Sequence, residues 1–179
     1  MIDSEATKRF MNAPWLSDVS PECKRAIAAA MKEGRASAGT VLLAQGQPND
    51  HLTFLIEGTA DLERDRGHGH RERITVLAAP AVFGTTSFFQ PNPPTATVRA
   101  SSDVWMLTLY HPAHEQLRLE NPQAAESLAV AVVRVLSERF DLIDGLFSQF
   151  ISQHSSQTSQ ATPSEWSDFR ARLFDERGV

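Results

Sequence analysis

The chain has 179 residues, 41% of them hydrophobic, which is enough for one globular domain with additions and a self-sufficient core. Its formal net charge of -5 lacks the basic excess that nucleic-acid binding needs, and its single cysteine, Cys23, excludes an intrachain disulfide or a cysteine-ligated cluster and favours a reducing compartment, the cytoplasm. The polar start "MIDSEATKRF" has no apolar signal-peptide core, and the longest apolar run, "SLAVAVVRVL", is too short to cross a bilayer and carries Arg134, so no membrane insertion is expected.

Residues 1–13 read as a polar N-terminal segment. In "SPECKRAIAAAMKEG", Ser20 is placed as an N-cap and Pro21 at the first helical position; Ala26, Ile27, Ala30 and Met31 keep helical spacing, and Gly34 stands where a left-handed C-cap would end the helix. From Arg35 to Leu109 the pattern changes to short apolar runs between turn residues: "TVLLAQGQPND", "HLTFLIEGTADLER", "ITVLAAPAVFG", "TATVRASSD" and "VWMLTLY", with "DRGHGHRER" as a charged hairpin loop. Such spacing predicts an antiparallel sandwich or roll.

Helical signals return at "HPAHEQLRLENPQ", where Pro112 follows His111 and Pro122 follows Asn121, so two helices succeed each other without a loop. The second carries one apolar stripe of Ala129, Val133, Leu136, Phe140, Ile143, Phe147 and Phe150, and beside it another of Leu128, Val132, Val135, Leu142 and Leu146. So wide an apolar arc buries either two faces, one on its own β-domain and one on the matching helix of a homodimer, or a single broad core face; the dimer helix is preferred. Gly145 interrupts the pattern at about 1 kcal/mol relative to alanine and marks a bend, a close crossing or nothing. Residues 152–161, "SQHSSQTSQA", are polar and of low complexity, a linker by composition. Residues 162–179 open with a capping box, Thr162, Pro163 and Glu165, and set Trp166, Phe169, Leu173 and Phe174 on one face. This is a short amphipathic helix on a tether, either a docking peptide for this domain or a protein partner, or a helix that packs back as ordinary structure.

Taken in order, a helix, a run of strands with "GQPNDHLTFLIEGTADLER", an "FG…TATVRA" cassette, "VWMLTL", a short helix and a long apolar helix resemble the cyclic nucleotide-binding domain family. That family includes catabolite activator-type transcription factors, regulatory subunits of protein kinases and cyclic nucleotide-gated channels. The resemblance covers about residues 14–145; its most specific pieces are the Gly39 to Gly46 spacing before Asp50, "FLIEGTADL" with Gly58 at the turn, and Phe83-Gly84 ahead of Ala96-Thr97-Val98. It implies an α+β fold, an antiparallel β-roll of double-stranded jelly-roll type with an N-terminal helix and a long C-terminal dimerisation-type helix. The domain is expected over residues 14–151.

Ligand-binding members of that family carry Phe-Gly-Glu, a short helical turn, then Pro-Arg followed by Ser or Thr and Ala; the Glu accepts from the ribose 2′-hydroxyl and the Arg pairs with the cyclic phosphate. Here the Glu position is Thr85 and the Arg position is Pro94, while Thr95 and Ala96 match the pair that follows. Losing these charge-assisted contacts removes about 4–6 kcal/mol, which takes a micromolar site to the millimolar range or beyond. If binding is retained, the resemblance places it on Phe83, Gly84, Thr85, Thr86, Ser87, Thr95 and Ala96, with the backbone amides from Gly84 to Ser87 as a small anion nest. From the long helix it adds Arg139 and Phe140, the latter able to stack on a base or to serve the core or dimer stripe. Arg99 falls on the strand face opposite Val98 and is expected to face solvent, Phe88 and Phe89 to pack the cassette, and Pro91, Pro93 and Pro94 to stiffen its end.

His68 and His70 lie in the charged hairpin, and His111 and His114 are three apart at a helix start; all four are expected at the surface rather than on a metal or haem. No triad, P-loop or carboxylate pair suggests an enzyme, and no cofactor is expected unless a cyclic nucleotide binds. Only 29 residues follow Phe150, too few for the winged helix-turn-helix of the family's transcription factors, so no nucleic-acid partner is expected. The sequence therefore points to a non-catalytic regulatory module with lost or altered cyclic nucleotide binding, acting through dimerisation or partner docking. Its alternative is a sensor of a cyclic nucleotide or other small anion with a non-standard cassette.

Overall fold

The N-terminal residues are not a loose polar lead. In the computed structural model, which describes residues 2–67, 71–90 and 92–154 (side chains to 145, and 148), they form α1 (Ser4–Met11), capped by Asp3, whose side chain accepts from the Glu5 amide at 2.7 Å. The chain divides into two units, Met1–Leu136 and Ser137–Val179, and everything from α1 to the first half of the last helix belongs to the first. Ala6 and Phe10 of α1 enter its core.

After a 3-10 turn (Pro14–Leu16), α2 spans Pro21–Ala29, with Ser20 as N-cap accepting from the Cys23 amide at 3.2 Å and Pro21 at the first position. The expected C-cap at Gly34 is a correction: α2 ends at Ala29, and Gly34 lies inside β1 (Lys32–Ala36), paired with Met106. The remaining strands are β2 (Val41–Leu43), β3 (His51–Glu57), β4 (Thr59–Asp65), β5 (Arg71–Ala78), β6 (Ala81–Phe83), β7 (Thr97–Ala100) and β8 (Val104–Tyr110), with a short α3 (Thr85–Phe89) between β6 and β7. They make two antiparallel four-stranded sheets, ordered β1-β8-β3-β6 and β2-β7-β4-β5. This is the expected α+β roll. Part of the presumed charged hairpin loop is strand: Arg71, Glu72 and Arg73 pair with Asp65, Arg64 and Glu63, so opposite charges face each other across the ladder and sustain it without apolar residues.

Strand alternation sorts the core into two layers. Leu55, Ala60, Phe83, Val98, Ala100 and Val104 fill the space between the sheets. Leu52, Phe54, Ile56, Val82, Leu107 and Leu109 face the other way and are covered by helices. Because β3 is buried on both faces it reads as a continuous apolar run rather than an alternating one. Phe54 is its anchor, 1% exposed, stacked on Trp15 at 4.9 Å and edge-on to Phe10 at 5.4 Å.

The two closing helices stand where the prolines put them. α4 (His111–Glu120) leads through Asn121, whose Oδ1 accepts from the Ala124 amide at 3.0 Å, into α5 (Pro122–His154). In the first unit Ala124, Leu128, Ala131, Val132 and Val135 are buried while Val130 and Val133 are 53% and 60% exposed. In the second unit Phe140, Leu142 and Ile143 are exposed. The helix continues three residues into the stretch read as linker; residues 155–179, with the amphipathic segment, lie outside the described residues, as do His68, His70 and Pro91. No helix among the described residues is long and apolar enough to cross a membrane.

Candidate functional site

The cassette begins where β6 ends. Phe83 turns into the space between the sheets, 3% exposed, and Gly84 takes a φ of 80°, a left-handed conformation that frees the chain to start α3. No other residue fits there, because a Cβ would sit 2.8 Å from the His51 carbonyl oxygen and 3.3 Å from Asn49 Nδ2. α3 is a single turn and a half, closed by the Phe88 amide donating to the Gly84 oxygen at 2.9 Å.

Its inner side is polar and buried: Thr85 is 4% exposed and Ser87 is 2% exposed. Asn49 holds Ser87 in place, its Nδ2 donating to Ser87 Oγ at 2.9 Å and to the His51 oxygen at 2.8 Å. Asn49 carries no mark in the sequence reading; the signal was there in its two-residue reach to His51, whose amide it also accepts, at 3.4 Å, as turn asparagines do. Thr85 makes no side-chain hydrogen bond among the described residues. Thr86 and Thr95 are exposed, Ala96 is buried, and Pro94 is buried with its carbonyl accepting from the Gly46 amide at 2.9 Å. Phe83, Gly84, Thr85, Thr86, Ser87, Thr95 and Ala96 thus lie along one segment that β3 and the β2–β3 loop hold from behind.

The two phenylalanines part company. Phe88 is 1% exposed and belongs to the helix-side core, not to the space between the sheets, whereas Phe89 is 41% exposed. Phe88 meets His111 at 4.5 Å and His114 at 5.2 Å between ring centroids. His114 is therefore not a surface residue: it is 8% exposed, and burial lowers its pKa from the ordinary histidine value. Three residues on from His111 along α4, His114 turns towards the cassette rather than to the surface where it was expected. Among the described residues no cluster of three metal-binding side chains exists.

Arg99, the only base of the segment, has its partners elsewhere. Alternation puts it on the outer face of the second sheet, as the spacing predicted, but it is not simply solvated: Nε meets Glu63 Oε2 at 3.3 Å and Nη1 donates to the Gly39 oxygen at 2.9 Å. Its guanidinium is thus committed on the far side of β7 from buried Val98 and Ala96. Arg139 and Phe140 belong to the second unit, where Phe140 is 62% exposed.

The family model described as "Cyclic nucleotide-binding domain" matches residues 33–121, from β1 to the end of α4. The chain belongs to the cyclic nucleotide-binding domain family. It is 25% identical over 127 residues to a CRP-like cAMP-activated global transcriptional regulator of Mycobacterium tuberculosis, a match covering 68% of this chain and 55% of that protein. It is 26% identical over 113 residues to a cyclic nucleotide-gated potassium channel of Mesorhizobium japonicum, covering 63% of this chain and 30% of the channel. The chain thus spans about half the length of the regulator and a smaller part of the channel. A cyclic nucleotide-binding domain from Methylobacillus flagellatus shares the fold with a TM-score of 0.73 at 20% identity, over 81% of this chain and 84% of that one. The first two are, by name, a transcriptional regulator and a gated channel, and the third is a cyclic nucleotide-binding domain.

Proposed function

We propose that this domain is a regulatory module in which the usual cyclic nucleotide contacts are lost, and which acts by self-association and by docking a protein partner. The observation that carries the proposal is the pair Thr85 and Pro94, standing where ligand-binding relatives hold an acid and an arginine, with Arg99 already paired to Glu63 on another face. A cyclic phosphate held by Gly84 to Ser87 and Thr95 would meet hydroxyls and amides, with no cation among those residues, and hydrogen bonds to charged groups are worth roughly 1.5–3 kcal/mol each. Self-association is assigned to α5, whose Val130 and Val133 stay exposed beside a buried face; in the second unit Phe140, Leu142 and Ile143 offer the same kind of surface. The amphipathic segment at 162–179 is the proposed partner-docking element, and the proposed compartment is the cytoplasm.

One observation favours a second reading. Thr85 is 4% exposed and its side chain has no hydrogen-bond partner among the described residues, so its hydroxyl is available to a ligand. With Thr86, Ser87 and Thr95 it would then serve a sensor of a cyclic nucleotide or another small anion held without charge pairing. Calorimetric titration with cyclic AMP and cyclic GMP to millimolar concentration separates the two. Absence of heat and of thermal stabilisation supports the first reading; saturable binding at tens of micromolar or tighter overturns it.

A further inference from the structure

The cassette helix α3 is gripped from two sides. On the polar side stands Asn49 with its bond to Ser87. On the apolar side Phe88 and Phe89 lean on α4, and His114 touches both, at 5.2 Å and 5.7 Å between ring centroids, the latter with the rings at 89°. The His114 ring has no hydrogen bond or ion pair among the described residues, and it lines an open groove of about 510 Å³ together with Phe88, Phe89, Glu115, Arg118 and Glu126.

Burial favours the neutral form of an imidazole so placed. Burial strips the cation of water, and α3 supplies no ionisable side chain to replace it. On α4, Glu115 favours the cation while Arg118 and His111 oppose it; Glu115 is itself held by Arg118, both of its oxygens 3.0 Å from Nη1. On α5, Glu126 lines the same groove. Burial is the largest of these influences and lowers the pKa.

We propose that His114 is a proton-operated latch on the cassette: neutral, it fastens Phe88 and Phe89 to α4, and on taking a proton from solvent it turns into the groove towards Glu126 and releases the apolar side of α3. Asn49 keeps the polar side tethered, so the cassette loosens without the roll unfolding. The latch requires no nucleotide and is independent of whether the cassette binds one.

Amide exchange of the full chain, followed by NMR between about pH 7.5 and 5 and corrected for intrinsic exchange, tests it, with imidazole shifts recorded alongside. The Phe88 and Gln90 amides, bonded to Gly84 O and Thr86 O, report on α3, and those of β8 serve as the reference. Protection at Phe88 and Gln90 should fall as pH drops below the ordinary histidine value, by about tenfold for each unit by which the folded pKa is lowered, with the midpoint of the His114 ring and with β8 unchanged. His114→Gln should remove the response and His111→Gln should keep it. Flat protection in the wild type, a response surviving His114→Gln, or one abolished by His111→Gln overturns the proposal. If His114→Gln does not fold, the wild-type data decide: a His114 ring titrating at or above the ordinary value, or out of step with Phe88, is equally fatal to it.

Discussion

Replacing Gly84 by alanine measures how firmly the cassette is seated on β3. The left-handed backbone costs an L-residue about 1–2 kcal/mol by itself. The new methyl would lie 2.8 Å from the His51 oxygen, a backbone atom in a strand paired to β8 and already accepting from Asn49 Nδ2. The strand cannot yield cheaply, so α3 and the Asn49 side chain, whose Nδ2 would lie 3.3 Å from the methyl, must move, and the Asn49 bonds to Ser87 and His51 are given up at roughly 1 kcal/mol each. The total is about 3–4 kcal/mol. Gly39 is the built-in control: its φ is 88°, yet nothing lies within 4 Å of a Cβ there, so Gly39→Ala should cost only the backbone strain, about 1–2 kcal/mol. Urea unfolding of both variants by circular dichroism should show a gap of about 2 kcal/mol. Equal losses would refute the claim that close contact with β3 holds the cassette.

Restoring the two charges, Thr85→Glu with Pro94→Arg, should strengthen cyclic AMP binding by roughly 10²–10⁴-fold over the wild type in calorimetry, since two charge-assisted contacts return; no gain would mean that something other than the missing charges closes the site. Phe54→Ala removes a ring stacked on Trp15 and edge-on to Phe10 and should cost about 3–5 kcal/mol in chemical denaturation. Val133→Asp, at a 60% exposed position, should leave the fold intact by circular dichroism but shift sedimentation towards monomer; unchanged association would remove α5 from the interface. Because the folded pKa of His114 is lowered, the unfolded chain binds more protons below the ordinary histidine value, so stability is full above that pH and falls until the folded pKa is passed. His114→Phe should flatten that part of the profile in thermal melts taken between about pH 7.5 and 5.

Features specified within a few residues were legible in the sequence. Ser20 with Pro21, and Asn121 with Pro122, fix helix starts because a cap and a proline act on the amides of the next turn, and both caps form as read. The buried stripe of Leu128, Val132 and Val135 on α5 follows from helical period, and alternation along β7 puts Val98 inside and Arg99 outside; Leu146, Phe147 and Phe150 of the two predicted stripes lie outside the described side chains. Thr85 and Pro94 stood out for the same local reason, as residues in a short segment whose pattern is recognisable.

What the chain does across long separations was decided only by tertiary structure. The strand "KEGRA" has no apolar signature; it is a strand because β8, some seventy residues on, offers it an edge, and so Gly34 becomes a strand residue rather than a helix cap. Alternation gave the face of Arg99 but not Glu63, its partner 36 residues away. Phe88 and Phe83 look alike in sequence, yet α3 turns one into the helix-side core and the other stays between the sheets. His114 is the clearest case, a polar residue at the start of a helix whose burial depends on two phenylalanines some 25 residues earlier in the chain. Local codes of cap, period and turn come from the backbone of a few neighbours; burial and pairing come from which surfaces the folded chain brings together.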